Sequence, residues 1–398
     1  MLDNSFTFAN TPEIIFAAGS FQKLPDIIAD YGENTLIITG GSSLYKSGRF
    51  DELSQGLKED SISFSTVKVT DEPSPDLIDE IVDTYREENI SSIAAIGGGS
   101  VMDTGKAVSA MLTQDDSVMK YLEVVGEGQE HPGDKVPFIA VPTTSGTGSE
   151  ATKNAVLSDV GEDGFKKSLR HDNFIPNIAL LDPELTTSCP ASITAASGLD
   201  AITQLLGAYT STTASPMTDS LSLKALQYAG ESLVPAATDK GDKPQVRAGM
   251  AYASLISGIT LANAGLGIVH GLASAVGGYF DIPHGVVCGT LLSEATKLNI
   301  RLLRKNNNQF YLKKYAKAGA LLSGKNSIDI TSHQSIDRYC DLLVEILENW
   351  TAKLNIPRLG EYGVSEDDLD KIAKKAGNKN NPIQLDNEQI RQLVRARL

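Results

Sequence analysis

The sequence predicts an α/β N-terminal half, residues 1–188, followed by an all-α C-terminal half, residues 189–398. Three observations predict it. Up to Leu181, short apolar runs of strand length alternate with helical periodicity, as in a parallel sheet covered on both faces. From Ser192 the pattern is helical almost to the end. Asp182-Pro183 closes the strand-rich part, so the boundary falls near 184–192, and a chain of 398 residues is too long for one hydrophobic core to be the default.

Taken in order, Ser5–Phe8 and Glu13–Ala17 read as two extended segments split at Thr11-Pro12, an N-terminal hairpin. A helical stretch over Leu24–Tyr31 precedes the strand Thr35–Thr39, which ends in Gly40-Gly41-Ser42-Ser43. Ser63–Val69 is the next strand, and Leu77, Ile78, Ile81 and Val82 share one face of the helix after it. Ser92–Ile96, the turn Gly97-Gly98-Gly99-Ser100 and the helix Val101–Met111 form a third unit. Val136–Val141 is a buried strand, Asn154–Ser158 and Phe165–Arg170 form a hairpin, and Ile178–Leu181 is the last strand. Helical patterns then run over 192–210, 216–234, 244–262, 266–279, 284–304, 309–321, 334–354, 366–376 and 386–397.

A net charge of −15 with no basic block excludes nucleic acid and anionic membrane surfaces as partners. The start, Met1–Phe8, has neither the basic residues nor the apolar run of a secretory leader, which predicts a cytoplasmic protein. Cys189, Cys288 and Cys340 are widely spaced and without a CxxC pair, and read as reduced packing thiols.

Strand, glycine turn and helix N-terminus in that order make an anion site at Gly97–Ser100, because unpaired N–H groups and the positive end of the helix dipole point at one spot. It is not a P-loop: Gly99 to Gly105 is one residue too far, and Ala107 stands where a magnesium-binding hydroxyl belongs. The loop Pro142–Glu150 contains GxGxxA, but a strand follows it, so the dinucleotide fingerprint is not met. Its five hydroxyl residues in nine positions still make it a loop rich in short donors at the end of a buried strand.

Ala248–Phe280 contains no Asp, Glu, Lys or Arg, yet lacks the flanking basic residues of a membrane span and reads as buried helical core. Two of the five histidines, His270 and His284, sit in or beside it. Buried imidazoles need partners, since an unsatisfied buried polar group costs ~1–3 kcal/mol. Asp200 and Gln204, four apart on an apolar helix, project from one face. Asp200 with both histidines is either an Asp–His pair holding helices together or an O,N,N set suited to Zn²⁺ or Fe²⁺ with an open position.

Taken together, Gly97–Lys106, Pro142–Glu150, Leu181–Thr186, Gly198-Leu-Asp200-Ala, His270-Gly-Leu-Ala, Pro283-His284-Gly285 and Gly377–Pro382 resemble the iron-containing, group III alcohol dehydrogenases over nearly the whole chain. The resemblance implies a nucleotide-binding N-terminal domain, a helical metal and substrate domain of dehydroquinate synthase-like architecture, and a cleft between them. It implies that Gly97, Gly98, Gly99, Ser100 and Asp103 hold the pyrophosphate, that Thr143, Thr144, Thr147 and Ser149 line the nicotinamide side, and that Lys166 lies near the cofactor. Asp200, Gln204, His270 and His284 stand at the metal positions, with Asp200 and the histidines in the catalytic role. A small alcohol or aldehyde is the implied substrate, and the N-terminal segment resembles the one through which members pair as homodimers.

Two departures stand out. Family iron enzymes usually carry His where this chain has Gln204, and often another where it has Ser274. The similar glycerol dehydrogenases use an Asp-His-His set with zinc, and maleylacetate reductases work without metal. In relatives restricted to NAD an acidic residue ends the strand that here runs into Gly40, Gly41 and Ser42, so NADP(H) is expected over NAD(H). A metal-free reductase, a dehydroquinate synthase-like lyase and a cofactor-binding protein without turnover are the competing readings.

Overall fold

Strands that are apolar at every position can be satisfied only by cover on both faces, and the computed structural model, which describes residues 5–162, 164–325 and 330–398, has that arrangement. The N-terminal half runs β1 (Glu13–Phe16), α1 (Leu24–Ala29), β2 (Asn34–Thr39), α2 (Ser43–Lys46), α3 (Arg49–Glu59), β3 (Ser63–Lys68), α4 (Pro75–Tyr85), β4 (Ser92–Gly97), α5 (Gly99–Met111), β5 (Phe138–Pro142), β6 (Asn154–Asp159), β7 (Phe165–Arg170) and β8 (Ile178–Leu181). Six strands form a parallel sheet in the order β1-β8-β5-β4-β2-β3, and β6 and β7 make a separate antiparallel hairpin. Because strand side chains alternate, Ile37, Ala94, Ile96, Ile139 and Val141 pack on one face against Leu24, Ile28, Leu53 and Leu57. Leu36, Ile38, Ile93, Ala95 and Ala140 pack on the other against Ile78, Val82, Val108 and Met111.

The expected N-terminal hairpin does not form. Ser5–Phe8 is not a strand, and β1 instead pairs parallel with β8, from Glu13 opposite Ile178 to Phe16 opposite Leu181. The free edge of β8 offers a complete ladder, whereas an isolated two-stranded hairpin is marginal in water. The first four residues, on which the leader argument partly rests, lie outside the described residues, as does residue 163 of the segment that joins β6 and β7 in sequence. The helices α2 and α3 lie between elements that the sequence pattern marks out and are an addition to it.

The helical half contains α6 (Ala191–Tyr209), α7 (Pro216–Ala237), α8 (Pro244–Ala264), α9 (Ile268–Tyr279), α10 (His284–Lys305), α11 (Gln309–Leu322), α12 (His333–Lys353), α13 (Leu369–Lys375) and α14 (Asn387–Arg395). The charge-free segment is two helices, α8 and α9, bent by 98° at Gly265, whose φ of 67° suits a residue without Cβ. Among the described residues no single helix is long and apolar enough to cross a membrane, although this bent pair passes on length and composition. Its apolar side chains are buried in two cores, Leu255 and Ile259 with α6, α7 and α12, Leu272 and Val276 with α10, α13 and α14.

The halves meet through glycine. Gly148, at φ 64°, lies so close to α8 that a Cβ there would stand 2.4 Å from the Gly258 nitrogen, and a Cβ on Gly146 would stand 2.6 Å from that of Ser197 on α6. The hydroxyl-rich loop is thereby pressed onto the helix that carries Asp200.

Candidate metal and cofactor site

Strand order reverses between β2 and β4, since β2 leads outward to β3 while β4 leads to β5 on the other side. Ligands of open α/β sheets bind outside the carboxyl ends of the strands at such a point. Gly40 and Gly97 end these two strands side by side, with the Gly40 N–H donating to the Ile96 carbonyl at 3.3 Å. Gly98 caps α5 without a side-chain acceptor, which leaves the first-turn N–H groups at Gly99 and Ser100 for an anion. The glycines also make room: a Cβ on Gly99 would stand 2.8 Å from a Thr147 methyl, and one on Gly98 3.4 Å from the Thr144 hydroxyl. Thr143, Thr144 and Thr147 are half-buried along the same rim, with Thr143 N–H bonded to the Gly97 carbonyl at 2.8 Å. At Gly41 a Cβ would meet nothing within 4 Å, and Ser42 is exposed.

Asp103 and Ser149 depart from the roles the resemblance implies. Ser149 is buried, and its hydroxyl donates to Asp103 Oδ1 at 2.5 Å, while Asp103 Oδ2 accepts from the Val156 N–H at 3.1 Å. Their polar atoms are used on one another, tying α5 to the loop. Beside them Lys106 Nζ donates to the Ser149 carbonyl and hydroxyl, the Thr152 hydroxyl and the Asn154 carbonyl, all at 2.8–3.0 Å. In the sequence Lys106 carries no role beyond ending the motif Gly97–Lys106; the structure makes it the anchor of the loop.

Asp200 of α6, His270 of α9 and His284, the first residue of α10, converge from three helices. Asp200 Oδ1 lies 3.1 Å from His270 Nε2 and 3.8 Å from His284 Nε2. Asp200 and His270 are buried, and the His284 side chain is 27% exposed, which marks the open side of the cluster. Burial alone would raise the Asp200 pKa, but His284 and His270 beside it hold the carboxyl down at about 2. Burial pushes His284 down to about 4 against the pull of Asp200, so its ring is neutral and its lone pair available at neutral pH. An anionic oxygen and two imidazoles fit a divalent cation. Donors around a tetrahedral zinc stand ~3.3–3.6 Å apart, and the two Asp–His separations bracket that range.

Two residues depart from expectation. Gln204 does not offer its oxygen to the cluster: its amide nitrogen donates to Asp200 Oδ2 at 3.2 Å, and its Oε1 accepts from the Ser257 hydroxyl at 3.0 Å. An amide between a carboxylate and a hydroxyl turns its donor to the carboxylate. Cys288, read above as a packing thiol, stands with Sγ 3.7 Å from His270 Nε2 and 3.6 Å from His284 Nε2. Its spacing of four from His284 on one helix is the signal that finds it. Ser274 donates to the His270 carbonyl at 3.0 Å, a bond within its own helix, and supplies no relay.

Lys166 of β7 lies against α9, where a Cβ on Gly277 would stand 3.4 Å from its Cδ, and its Nζ grips both Glu72 oxygens at 2.5 and 2.6 Å. Its charge is felt at His284 and Cys288, so it borders the cluster. Burial opposes the Glu72 charge, yet Lys166 and the Ser158 hydroxyl hold its pKa below the usual value. Glu72, in a polar turn, carries no sequence signal of this role.

Comparison with known proteins agrees with this architecture. Residues 11–183 match the family described as iron-containing alcohol dehydrogenase, and residues 194–398 match its C-terminal counterpart. Alcohol dehydrogenase 4 of Schizosaccharomyces pombe is 32% identical over 92% of this chain and 82% of its own. The NAD-dependent methanol dehydrogenase of Bacillus methanolicus is 29% identical over 92% of this chain and 91% of its own. The structure of an alcohol dehydrogenase from Oenococcus oeni superposes with a TM-score of 0.86 at 29% identity, covering 99% of this chain and all of that one. With both halves matched in order, the chain belongs to the iron-containing alcohol dehydrogenase family.

Proposed function

We propose that the protein is a metal-assisted alcohol dehydrogenase that prefers NADP(H) and interconverts a primary alcohol and an aldehyde. The observation that carries this reading is the convergence of Asp200, His270 and His284 beside a loop that reaches from the glycine turn to α6. In the oxidative direction a hydride leaves the carbinol carbon for the nicotinamide ring, and the hydroxyl proton is released to solvent. What a divalent ion, Fe²⁺ or Zn²⁺, supplies between these side chains is Lewis acidity, which lowers the alcohol pKa and stabilises the alkoxide. Asp200 contributes the negative charge that holds such an ion, and the two imidazoles contribute lone pairs. The N–H groups at Gly99 and Ser100 bind the pyrophosphate, and Thr143, Thr144 and Thr147 orient the ring. The Lys166–Glu72 pair closes the β7 side and limits water. Because Ser274 is spent on its own helix, the proton leaves through water or a ribose hydroxyl.

Metal analysis of protein purified without chelator, paired with NADPH oxidation against an aldehyde panel, tests this reading. Stoichiometric metal with turnover supports it; turnover without metal favours a metal-free reductase, and cofactor binding with neither reduces the protein to a binding role.

The cofactor preference rests on Gly40, which leaves no carboxylate to hold the ribose 2′-hydroxyl or repel a 2′-phosphate. NADPH is expected to give the higher kcat/KM. Gly40→Asp is expected to lower kcat/KM for NADPH on the order of 100-fold, since like charges in contact cost several kcal/mol. A Cβ at this position meets a Val101 methyl at 3.2 Å, which can yield by a few tenths of an ångström. A wild-type enzyme that strongly prefers NADH overturns the assignment.

A homodimer is part of the same proposal. β1 is an edge strand with Ile14 and Phe16 more than a third exposed, and an unpaired edge of this kind is a template for pairing. A monomer mass by light scattering contradicts it.

A further inference from the structure

Cys288 follows His284 by one turn of α10, and that face of the helix is turned inward. The sulfur lies 3.6 Å from His284 Nε2 and 3.7 Å from His270 Nε2, and Cys288 is fully buried. One ligand atom each from Asp200, His270, His284 and Cys288 all fall within 4.8 Å of one another. With a metal–sulfur bond near 2.3 Å and metal–nitrogen bonds near 2.0–2.1 Å, a sulfur and a nitrogen on one tetrahedral ion stand ~3.5 Å apart. Both sulfur–nitrogen separations here agree with that within about 0.2 Å. A packing thiol would face apolar atoms; this one faces two imidazole nitrogens and a carboxylate.

Gln204 makes the complementary observation. Its amide is turned so that a donor, with no lone pair to give, faces Asp200, while its oxygen is taken up by Ser257. The helix α6 therefore supplies one donor residue to the pocket, Asp200, and α10 supplies two.

We propose that Cys288 is the fourth protein ligand of the metal site, binding as a thiolate, and that the resulting Asp-His-His-Cys set selects zinc over iron. The inference rests on the metal-dependent reading of this site given above. Thiolate sulfur is the donor that favours zinc among the ions such a pocket admits, and carboxylate and imidazole alone discriminate less. The thiol proton passes to solvent as the sulfur–metal bond forms. Asp200, His270, His284 and Cys288 would hold the ion, and the side on which His284 is exposed would leave substrate a path to it.

Cobalt(II) reports the ligand directly, because a cysteine thiolate bound to it gives an intense near-ultraviolet charge-transfer band that oxygen and nitrogen ligands do not give. Apoprotein titrated with Co²⁺ is expected to develop this band with one-to-one stoichiometry. Cys288→Ser is expected to lose the band while retaining the weaker visible bands of bound cobalt. In competition with a chromophoric chelator, its zinc affinity is expected to fall at least about tenfold, and its preference for zinc over iron to shrink. The wild-type spectrum needs no variant, so the folding of Cys288→Ser does not bear on that arm. Cobalt bound without the band, or zinc affinity unchanged in Cys288→Ser, overturns the cysteine ligand and leaves the metal-dependent dehydrogenase standing. A wild-type protein that takes up none of cobalt, zinc and iron overturns both.

Discussion

Asp200→Ala is expected to abolish metal retention and to lower kcat/KM for alcohol oxidation by at least about 10³-fold, or ~4 kcal/mol of transition-state stabilisation. Asp200 is the only carboxylate in the cluster, and both its oxygens are engaged: Oδ1 with His270 at 3.1 Å and His284 at 3.8 Å, Oδ2 with the Gln204 amide at 3.2 Å. Removing it takes away the charge that offsets a divalent cation and the group that aims both imidazoles. Asp200→Asn separates these roles, because it keeps the volume and removes the charge. If binding energy for the ion is the main contribution, Asn is nearly as damaging as Ala; if aiming the rings is, Asn recovers most of the activity. Metal content by elemental analysis and steady-state kinetics read both, and an Asp200→Ala enzyme with wild-type metal and turnover refutes the assigned site.

The same cluster sets an acid limit on the metal-free protein. The His284 pKa is depressed from 6.5 to about 4, burial being the first cause, so the unfolded chain binds a proton that the folded chain refuses. The stability His284 confers is therefore present above pH 6.5 and lost as pH falls toward 4. Asp200, held at about 2, extends the loss to lower pH, since a depressed carboxylate stabilises the fold above its unfolded pKa and ceases to as it is protonated. Thermal unfolding of apoprotein between pH 7 and 4 is expected to show a decline that His284→Gln flattens; parallel pH profiles in the two proteins contradict this.

How far such residues can be read from the chain depends on whether their partners are near in sequence. β2, β4, β5 and β8 are recognisable because a strand buried on both faces is a continuous apolar run, and that property is local. The pairing of β1 is not local: its partner β8 begins at Ile178, and nothing in Glu13–Phe16 distinguishes a hairpin from an edge strand. Asp200, His270 and His284 come together as the family resemblance implies, and the switch point at Gly40 and Gly97 follows from strand order. Gln204 illustrates the limit. An amide offers a donor and an acceptor; the donor goes to Asp200, which accepts only, and the fate of the oxygen depends on Ser257, on a different helix. Cys288 was within reach, four residues after His284, but a thiol in an apolar helix reads as packing until the histidines are seen on the same face.

Lys106→Met is expected to destabilise the N-terminal half by about 3–5 kcal/mol, the range for removing one partner of a buried charged network. Lys106 is 1% exposed, and burial lowers its pKa to about 8, so it is protonated at neutral pH. Methionine fills a similar volume but donates nothing, and four oxygens, those of the Ser149 and Asn154 carbonyls and the Ser149 and Thr152 hydroxyls, lose a charged donor. The Ser149 and Asn154 carbonyls keep bonds from Thr152 at 3.4 Å, longer and weaker than the charged ones they lose, and a poorly satisfied buried acceptor costs ~1–3 kcal/mol. For a half of this size the melting temperature is expected to fall on the order of 10 °C. A second effect follows from position. Ser149 ends the loop that carries Thr143, Thr144 and Thr147, and with Lys106 gone only Asp103 still holds its hydroxyl. The loop then samples more conformations, and binding must restore order, so the Kd for NADPH is expected to rise roughly tenfold, ~1.4 kcal/mol. Fluorescence quenching by the cofactor and thermal unfolding measure the two effects separately. A variant that melts within ~2 °C of wild type shows that the lysine does not hold the loop, whatever its cofactor affinity. One that melts early but binds NADPH normally shows that the lysine stabilises the fold without ordering the site.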